Sequence, residues 1–370
     1  MPHYWEIRNY ETQLRTRILE RLLQLRATLQ ERVPAAQPDS LLLATWNIRD
    51  FDSNKFGHGP RLPESFHYIA EILSRFDLIA IQEVTRDIEP LRKVVRLLGP
   101  NWHFLVTGVT EGSSGNAERM AFVYNRNRVQ FTSLAGQVIL PKTRLVTSEE
   151  ETAADGLQFA RAPYTASFQA GWFKFQLATV HIYFGDDSGA LLERRVAEIR
   201  QIARHFKNLQ EKEAGDYILL GDFNIVSPQH QTMQALLDNG FRVPPPLQNF
   251  QTNLSKDKHY DQIALRTHDK RLEFGVAGAL DFREAVFRAE DFEAYFDHMP
   301  PALRDFHVRG SKKGMARNDD EKRDYYNREW ITWQMSDHLL LWVELKVDFT
   351  NDYLMSLKPG EAPLADPPPA

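Results

Sequence analysis

The stretch Tyr217-Ile218-Leu219-Leu220-Gly221-Asp222-Phe223-Asn224-Ile225 decides the fold of this chain. Its four leading residues are large and apolar, which predicts a strand buried on both faces. The strand ends at a glycine, and two polar residues with a phenylalanine between them follow. Because side chains alternate along an extended chain, we expect Asp222 and Asn224 to face one point while Phe223 points into the core.

The same arrangement, an apolar run beside a polar residue that can bind a ligand, occurs at four other places. The apolar runs are 41–45, 78–81, 175–180 and 339–345, and their polar neighbours are Asn47, Gln82, Glu83, His181, Asp337 and His338. A rigid strand can hold a side chain in one direction at its end. The repetition therefore predicts a functional site where several strand ends meet.

Composition excludes several classes of protein. The 370 residues include no cysteine, which rules out disulfides, thiolate catalysis and zinc-thiolate sites. A net charge of −5 argues against a protein that coats nucleic acid by charge alone, although a local basic groove is compatible with it. Residues 1–6 lack the basic and apolar regions of a signal peptide, and no apolar run is long enough to cross a membrane. We therefore expect a cytoplasmic protein, with secretion by another route left open.

The chain is expected to divide into a helical extension at 1–40, a main domain at 41–348 and a tail at 349–370. In the extension, apolar residues recur at spacings of three and four over 11–33, which predicts an amphipathic helix. That helix either packs on the main domain or forms a homodimer or partner contact. The tail is rich in proline and alanine, so we expect it to be partly disordered.

Segment 282–330 of the main domain is a charged insertion with few strand signals. It is either a solvated helical excursion or a lid over the substrate. Seven basic residues of its second half and two adjacent tyrosines are Arg309, Lys312, Lys313, Arg317, Lys322, Arg323, Arg328, Tyr325 and Tyr326. Such groups suit phosphate backbones and stacked bases. We expect the insertion to select the substrate, with Lys312, Lys313 and Arg317 in contact with nucleic acid.

Hairpin signals, as well as helices, separate the predicted strands. Gly-Ser-rich residues 111–116 join two of them, and Ala170-Gly171 joins two more. Hairpins make the sheets mixed and largely antiparallel, which excludes a doubly wound nucleotide-binding fold. The order of elements predicts an α+β sandwich in which two sheets pack face to face with helices outside.

The residues at the strand ends can bind a hard metal ion and activate water. Their oxygen donors suit Mg²⁺, Mn²⁺ or Ca²⁺ better than zinc, and they are Asn47, Glu83, Asp222, Asn224 and Asp337. His181 and His338 stand beside these acids, and Asp261 can orient His338 by fixing its tautomer. No Gly-x-Ser-x-Gly elbow occurs, so a serine nucleophile is not expected. Together these groups predict hydrolysis at phosphorus.

As an ordered set, these motifs resemble the endonuclease/exonuclease/phosphatase superfamily, and most closely its deoxyribonuclease I branch. The matching pieces are 45–49, 81–84, 118–124, 180–181, 221–224, 260–263 and 336–338. The resemblance implies a four-layered α/β/β/α sandwich with its site at one end. It also implies a divalent metal, Mg²⁺ with Mn²⁺ or Ca²⁺ as alternatives.

The resemblance also implies roles for individual residues. Asn47 and Glu83 would hold the metal, with Asp337 nearby. Asp222 and Asn224 would position the attacking water and the phosphate.

The same resemblance implies two histidine–carboxylate pairs, which would act as acid–base and phosphate-stabilising groups. They are His338 backed by Asp261 and His181 backed by Glu118. Which group is the general base stays open. Two arginines match places where this branch has arginines near its substrate, Arg49 and Arg161.

Some features depart from the deoxyribonuclease pattern and leave the substrate open. The N-terminal helix has no counterpart in the minimal fold, the insertion stretches the spacing between Asp261 and Asp337, and Asn116 stands where that branch has a tyrosine near DNA. We expect a nucleic-acid phosphodiesterase, and a DNA endonuclease in particular. The alternatives are a phosphoesterase for a small or lipid-derived phosphate, of the inositol phosphate or sphingomyelin type, and a non-catalytic protein on the same fold. The complete set of acids and histidines argues against the last.

Overall fold

Two β-sheets stacked face to face form the centre of the computed structural model, which describes residues 2–110, 116–141, 146 and 157–358. In order of pairing, the strands of the first sheet are β10 (Glu273–Leu280), β11 (Leu340–Lys346), β1 (Ser40–Asn47), β2 (Leu78–Val84), β4 (Arg119–Asn125) and β3 (Trp102–Val106). Those of the second are β5 (Gln130–Gln137), β6 (Tyr164–Ala170), β7 (Phe173–His181), β8 (Tyr217–Asp222) and β9 (Asp261–Arg266). The pairs β1–β2 and β7–β8 are parallel, and the other strand pairs of the described residues are antiparallel. The mixed, largely antiparallel sheets confirm the prediction.

Strand β1 shows how one run of sequence serves both faces of its sheet. Leu41 and Leu43 lie in the apolar core between the two sheets. Leu42 and Trp46 point the other way, into the core beneath the helices. The strand is apolar at consecutive positions because both of its faces are covered.

Helices cover the outer face of each sheet. The first sheet carries α1 (Thr12–Arg32), α2 (Pro63–Leu73) and α3 (Glu89–Leu98), and the second carries α4 (Gly189–Gln210) and α5 (Gln231–Leu237). The shorter helices are α6 (Phe292–Tyr295), α7 (Pro301–Arg304), α8 (Asp319–Tyr325), α9 (Ile331–Gln334) and α10 (Thr350–Ser356). Tyr326–Trp330 is a π-helical turn, and 3₁₀ turns lie at Trp5–Asn9, Pro245–Leu247, Phe282–Glu284, Ala289–Asp291 and Phe296–His298. The layers run helix, sheet, sheet, helix, which confirms the four-layered sandwich. Among the described helices, none has the length and apolar character needed to span a bilayer.

The N-terminal helix α1 packs on the main domain. Its apolar stripe is buried in the core on the outer side of the first sheet, through Ile18, Leu22, Leu25 and Leu29. Two ion pairs of 2.6 Å fasten its polar flank, from Arg17 to Glu64 of α2 and from Arg21 to Asp291 of the insertion. The helix thus forms part of the outer layer, and a homodimer through α1 stays a prediction.

The insertion at 282–330 is not a solvated excursion, so that expectation was wrong. Its aromatic side chains complete the core above the first sheet, with Phe287, Tyr295 and Trp330 fully buried. Tyr325 and Tyr326 are buried as well, so they cannot stack on bases as the sequence suggested. The insertion folds as short helical turns whose apolar residues face inward while their charges face solvent.

Two strands and a helix were missing from the sequence prediction. Strands β5 and β10 lie at sheet edges and are partly exposed, so they lack a buried apolar pattern. In the tail, 350–356 form helix α10, which the sequence did not predict. Residues 359–370 lie outside the described residues, so the partial disorder of the tail stays a prediction.

Candidate active site

Strand ends from both sheets meet at one end of the sandwich. The parallel pairs deliver their carboxyl ends there, and the antiparallel neighbours β9 and β11 start from the same edge. Strand register aligns His181, Asp222 and Asp261 in one row across the second sheet. The predicted convergence of strand ends is therefore present in the structure.

The carboxylate of Asp222 lies at the centre of this group. Its Oδ2 is 3.6 Å from His181 Nε2 and 3.8 Å from His338 Nε2, and it accepts a hydrogen bond of 3.1 Å from Asn47 Nδ2. Its Oδ1 accepts the backbone N–H of Asn224 at 2.9 Å. Asp222 is buried, so one carboxylate faces two imidazoles in a space with little water.

His338 is held by Asp261. The contact between His338 Nδ1 and Asp261 Oδ2 is 2.7 Å, and Asp261 is fully buried. Burial lowers the pKa of His338, but the carboxylates of Asp261 and Asp222 outweigh it and raise the pKa well above its usual value. With Asp261 on Nδ1, the ring directs Nε2 toward Asp222, as the sequence argument for an orienting carboxylate expected.

His181 has a parallel arrangement on the other side of Asp222. Its Nδ1 lies 2.9 Å from Glu118 Oε2, and Arg161 Nε donates to the same oxygen at 2.6 Å. Burial disfavours the charge on Glu118, but His181 and Arg161 outweigh it and lower the pKa of Glu118 to about 2. Arg161 is buried with its guanidinium on Glu118, so the structure places it behind His181 as a support.

Glu83 is the residue that best fits a divalent metal. Burial and the nearby carboxylates of Glu118 and Asp337 raise its pKa, against the opposing effect of His181. A bound cation would relieve this excess of negative charge, and Mg²⁺ commonly takes only one or two protein carboxylates. Among residues 2–110, 116–141, 146 and 157–358, no three acidic or histidine side chains form a closed metal cage.

Asn47 is hydrogen-bonded as a donor. Its Nδ2 donates to Glu83 Oε1 at 2.9 Å and to Asp222 Oδ2, while its Oδ1 accepts the backbone N–H of Arg49 at 3.0 Å. The amide therefore joins the two acids. Its role as a metal ligand, like that of Asp337, stays a prediction.

Arg49 lies at the mouth of the site. Its guanidinium stacks over Trp333 at 3.9 Å from the ring centre, donates to Thr332 Oγ1, and places Nε 3.5 Å from Asp337 Oδ2. Asp337 is more open than the other acids of the site, with 39% of its side chain exposed. This pair forms the border between the buried acids and solvent.

Several residues at the site adopt left-handed backbone conformations. They are Arg49, Asp50, Glu83 and Asn224, with φ values from 44° to 59°. Such conformations cost energy in residues other than glycine and often occur at functional sites. The turn at Asn224 also corrects the alternation argument, because this residue does not continue the extended strand. Its Nδ2 instead donates to Ile182 O at 2.9 Å.

The structure shows supporting roles for two residues to which the sequence analysis assigned none. Gln82 donates to Thr179 Oγ1 at 2.8 Å and so connects the two sheets just beneath the acids. Arg195 of α4 is fully buried and donates to Phe184 O and to Asn224 O. It lies in a helix with many charged residues, and no signal in the sequence separates it from its charged neighbours.

The fold and this constellation define a phosphoester hydrolase of the sandwich type, and comparisons with known proteins agree. The model of the endonuclease/exonuclease/phosphatase family matches residues 44–257, and the chain belongs to that family. Members of the family are hydrolases that act on phosphoester bonds.

Two curated relatives are deoxyribonucleases. The chain is similar to a deoxyribonuclease of Thioalkalivibrio sp. (strain K90mix), with 29% identity over 280 residues, 72% of this chain and 68% of the relative. It is also similar to deoxyribonuclease-1 of Bos taurus, with 26% identity over 299 residues, 77% of this chain and 97% of the relative.

Solved structures share the fold. An endonuclease/exonuclease/phosphatase family protein from Bacteroides thetaiotaomicron superposes with a TM-score of 0.54 at 18% identity, covering 84% of this chain and 96% of that one. At that identity the likeness concerns the fold alone. The four-layered architecture is thus a family property, while the substrate has to be argued from the site.

Proposed function

We propose that this protein is a divalent-metal-dependent phosphodiesterase that hydrolyses nucleic acid, and DNA in particular. The observation that carries the proposal is that the Asp222 carboxylate lies between His181 and His338, with each imidazole backed by its own carboxylate. Below, His181, Asp222 and His338 together are called the catalytic row. Two rings on either side of one acid can exchange protons with both the attacking and the leaving oxygen of a phosphodiester.

Different groups of the site serve different steps of the hydrolysis. A water attacks phosphorus and forms the new P–O bond, and its proton passes to a group of the row centred on Asp222. As the old P–O bond breaks, a protonated imidazole gives a proton to the leaving oxygen. The raised pKa of His338 favours the charged form of that ring, and the charged ring also stabilises negative charge on the phosphate.

A divalent metal fits beside this row, with Glu83 as its anchoring ligand and Asn47 and Asp337 as further candidates. When bound, the ion supplies Lewis-acid stabilisation of charge on the phosphoryl oxygens. Asn224 and Gln82 keep the surrounding strand ends in place through their hydrogen bonds to Ile182 O and Thr179.

Two arguments support DNA as the substrate. The curated relatives reported above are deoxyribonucleases that align with most of this chain. Arg49 stands at the mouth of the site, stacked on Trp333, where its planar group can pair with a phosphate. A small or lipid-derived phosphate ester is the second candidate, because a cavity of about 620 Å³ beside Arg49 has the size of a small-molecule pocket.

Purified protein incubated with plasmid, single-stranded DNA, RNA and a panel of phosphate esters tests the proposal. We expect cleavage of DNA with Mg²⁺ or Mn²⁺, and none with EDTA, because the site offers hard oxygen ligands. Plasmid relaxation read on a gel separates internal cuts from shortening at ends. Turnover confined to the esters, or full DNA cleavage in EDTA, would contradict the proposal.

Glu83→Gln tests the metal contact by kinetics and also by thermal stability. We expect the variant to lose at least 10- to 100-fold in kcat/KM at low metal concentration, in keeping with the cost of losing a metal contact. The rise in Tm that Mg²⁺ gives the wild type should shrink, while the Tm without metal stays close to wild type. Glu89→Gln, at an exposed acid of α3 paired with Arg92, is the matched control and should change neither.

A further inference from the structure

A cavity of about 620 Å³ opens beside the catalytic row, and the steps of hydrolysis described above do not use it. Its wall includes Arg49 and Asp337 from the site, Leu254 from the loop before β9, and Arg283, Asn327 and Arg328 from the insertion. Ligand pockets commonly measure 300 to 1,000 Å³, so this space is large enough for about one nucleotide.

The cavity adjoins the catalytic residues through its lining. Leu254 N donates to Asp337 O at 2.9 Å, and Asp337 directly precedes His338. Arg49 donates through its backbone to Asn47 at the centre of the site. Two lining residues, Arg49 and Asp337, are therefore direct neighbours of site residues.

Positive side chains predominate in the lining of the cavity. Three arginines line it, together with the carboxylate of Asp337. Arg283 is held in one direction by Asp281, at 2.6 Å and 2.8 Å, and by Leu254 O at 3.1 Å. These contacts use Nε and Nη2, so a phosphate in the cavity would pair with Nη1 of this fixed guanidinium.

Arg328 supplies charge with little compensation. Its side chain is 80% exposed, and its ion pair with Asp324 is long, at 3.9 Å. By contrast, Lys312 is paired with Glu321 at 2.6 Å, and Arg317 donates to backbone oxygens of the insertion. Lys312, Lys313 and Arg317 do not line this cavity, so an anion bound in it would contact other basic residues than those singled out from the sequence.

We propose that the cavity is a subsite for the phosphate that neighbours the scissile one on a nucleic acid strand, with Arg283 and Arg328 as its determinants. The inference rests on the proposed function, because it takes the scissile phosphate to bind at Asp222. The insertion then selects polynucleotides over small esters, since only a chain with a second phosphate reaches both arginines.

Arg328→Ala is the main test, because so exposed a side chain contributes little to folding. Binding of a labelled single-stranded oligonucleotide is followed by fluorescence anisotropy in EDTA, where cleavage is blocked, at increasing salt. We expect weaker binding and a salt slope reduced by about 0.7, the value for one phosphate contact on a single strand. Arg283→Gln should act in the same direction, and Lys313→Ala, which removes an equal charge from the same segment, should match wild type.

Kinetics with Mg²⁺ complete the experiment. For Arg328→Ala we expect KM for the oligonucleotide to rise about 3- to 10-fold, which corresponds to one lost phosphate contact. Turnover of bis-p-nitrophenyl phosphate, which has a single phosphate, should stay at the wild-type level. Equal losses on both substrates, or a wild-type salt slope in both arginine variants, would overturn the subsite.

The two proposals fail in different ways. If wild type cleaves DNA while the arginine variants bind and cleave like it, the subsite is wrong and the nuclease assignment stands. If wild type cleaves no polynucleotide, the nuclease assignment fails. In that case, a salt slope that is smaller in the arginine variants than in wild type would still show that the cavity binds an anion.

Discussion

At the scale of single residues, a substitution of Asp261 allows its effect on catalysis to be compared with its effect on stability. It is fully buried and contacts His338 Nδ1 through one oxygen, and burial raises its pKa despite the opposing effect of His338. We expect Asp261→Asn to lower kcat by roughly 10²- to 10⁴-fold, because an amide cannot stabilise the imidazolium or fix its tautomer. Steady-state kinetics and urea unfolding measure the two effects. The free energy of unfolding should fall only by the stabilisation that Asp261 gives to His338, which is too small to account for the loss of kcat.

The pH profile distinguishes this effect from general damage. The Asp261 carboxylate raises the pKa of His338, so its loss should move the limb of the rate profile that reports His338 to lower pH. Asp238→Asn, at an exposed acid after α5, is the control and should leave both rate and profile unchanged. An Asp261→Asn variant that unfolds at lower urea and keeps its pH profile would make this carboxylate a structural group.

Much of the site was predictable because strands constrain it. An apolar run fixes where a strand ends, so Asn47, His181 and Asp222 could be placed at one edge before any coordinates were known. Alternation failed at Asn224, since a left-handed residue reverses the direction that the pattern assumes. The support of His181 by Arg161 through Glu118 could not be predicted either, because the sequence does not say which acid an arginine contacts in the fold.

At the scale of elements, α1 provides a test of how the outer layer is held. Leu25 is buried in the core under this helix, whereas Leu23, two residues earlier, is exposed. We expect Leu25→Ala to lower the free energy of unfolding by about 2 to 5 kcal/mol, since it opens a cavity. Leu23→Ala should stay within about 0.5 kcal/mol, as for other exposed positions. Urea unfolding of both variants makes the comparison, and equal effects would mean that α1 does not pack as described.

The same helix carries the untested homodimer prediction. Leu19 and Leu23 form an exposed apolar pair one turn apart. If a second copy covers them, Leu19→Ser with Leu23→Ser should convert a dimer to a monomer in analytical ultracentrifugation. A wild-type protein that sediments as a monomer would remove the prediction altogether.

The insertion shows why elements of this kind escape sequence patterns. Its helical segments are short, so the apolar spacing of a helix repeats too few times to be recognised in the sequence. Its apolar residues pack against α1 and α2, which lie more than 200 residues away in the chain. Strand β5 escaped for a related reason, because pairing with β6 supports it while most of its side chains are exposed.

At the scale of the whole molecule, two buried histidines connect the added segments to the domain. His58 Nδ1 lies 2.9 Å from Tyr325 OH of the insertion, and its ring stacks on Trp333 at 4.7 Å. His67 of α2 lies 3.3 Å from Tyr10 OH of the N-terminal segment. Burial lowers the pKa of each of these histidines to about 4.

The catalytic histidines make stability depend on pH in the opposite sense. Their carboxylate partners raise the pKa of His181 and of His338 in the folded protein. Their stabilising contribution is therefore complete below the unfolded value of about 6.5 and is lost as pH rises through the folded pKa. Below pH 6.5 the contribution of these two histidines no longer changes, so they do not offset the effect of His58 and His67 there.

We therefore expect the free energy of unfolding to fall as pH decreases from 6.5 to 4. In this window the unfolded chain binds a proton at His58 and His67 while the folded chain does not, so acid favours unfolding. The loss should be on the order of 1 to 3 kcal/mol for each histidine, from pKa differences of this size. Urea unfolding at half-unit steps of pH measures the slope, and His58→Gln should make the slope smaller whatever its own stability. A slope that is the same in the variant and in wild type would show that His58 is not held neutral against the insertion.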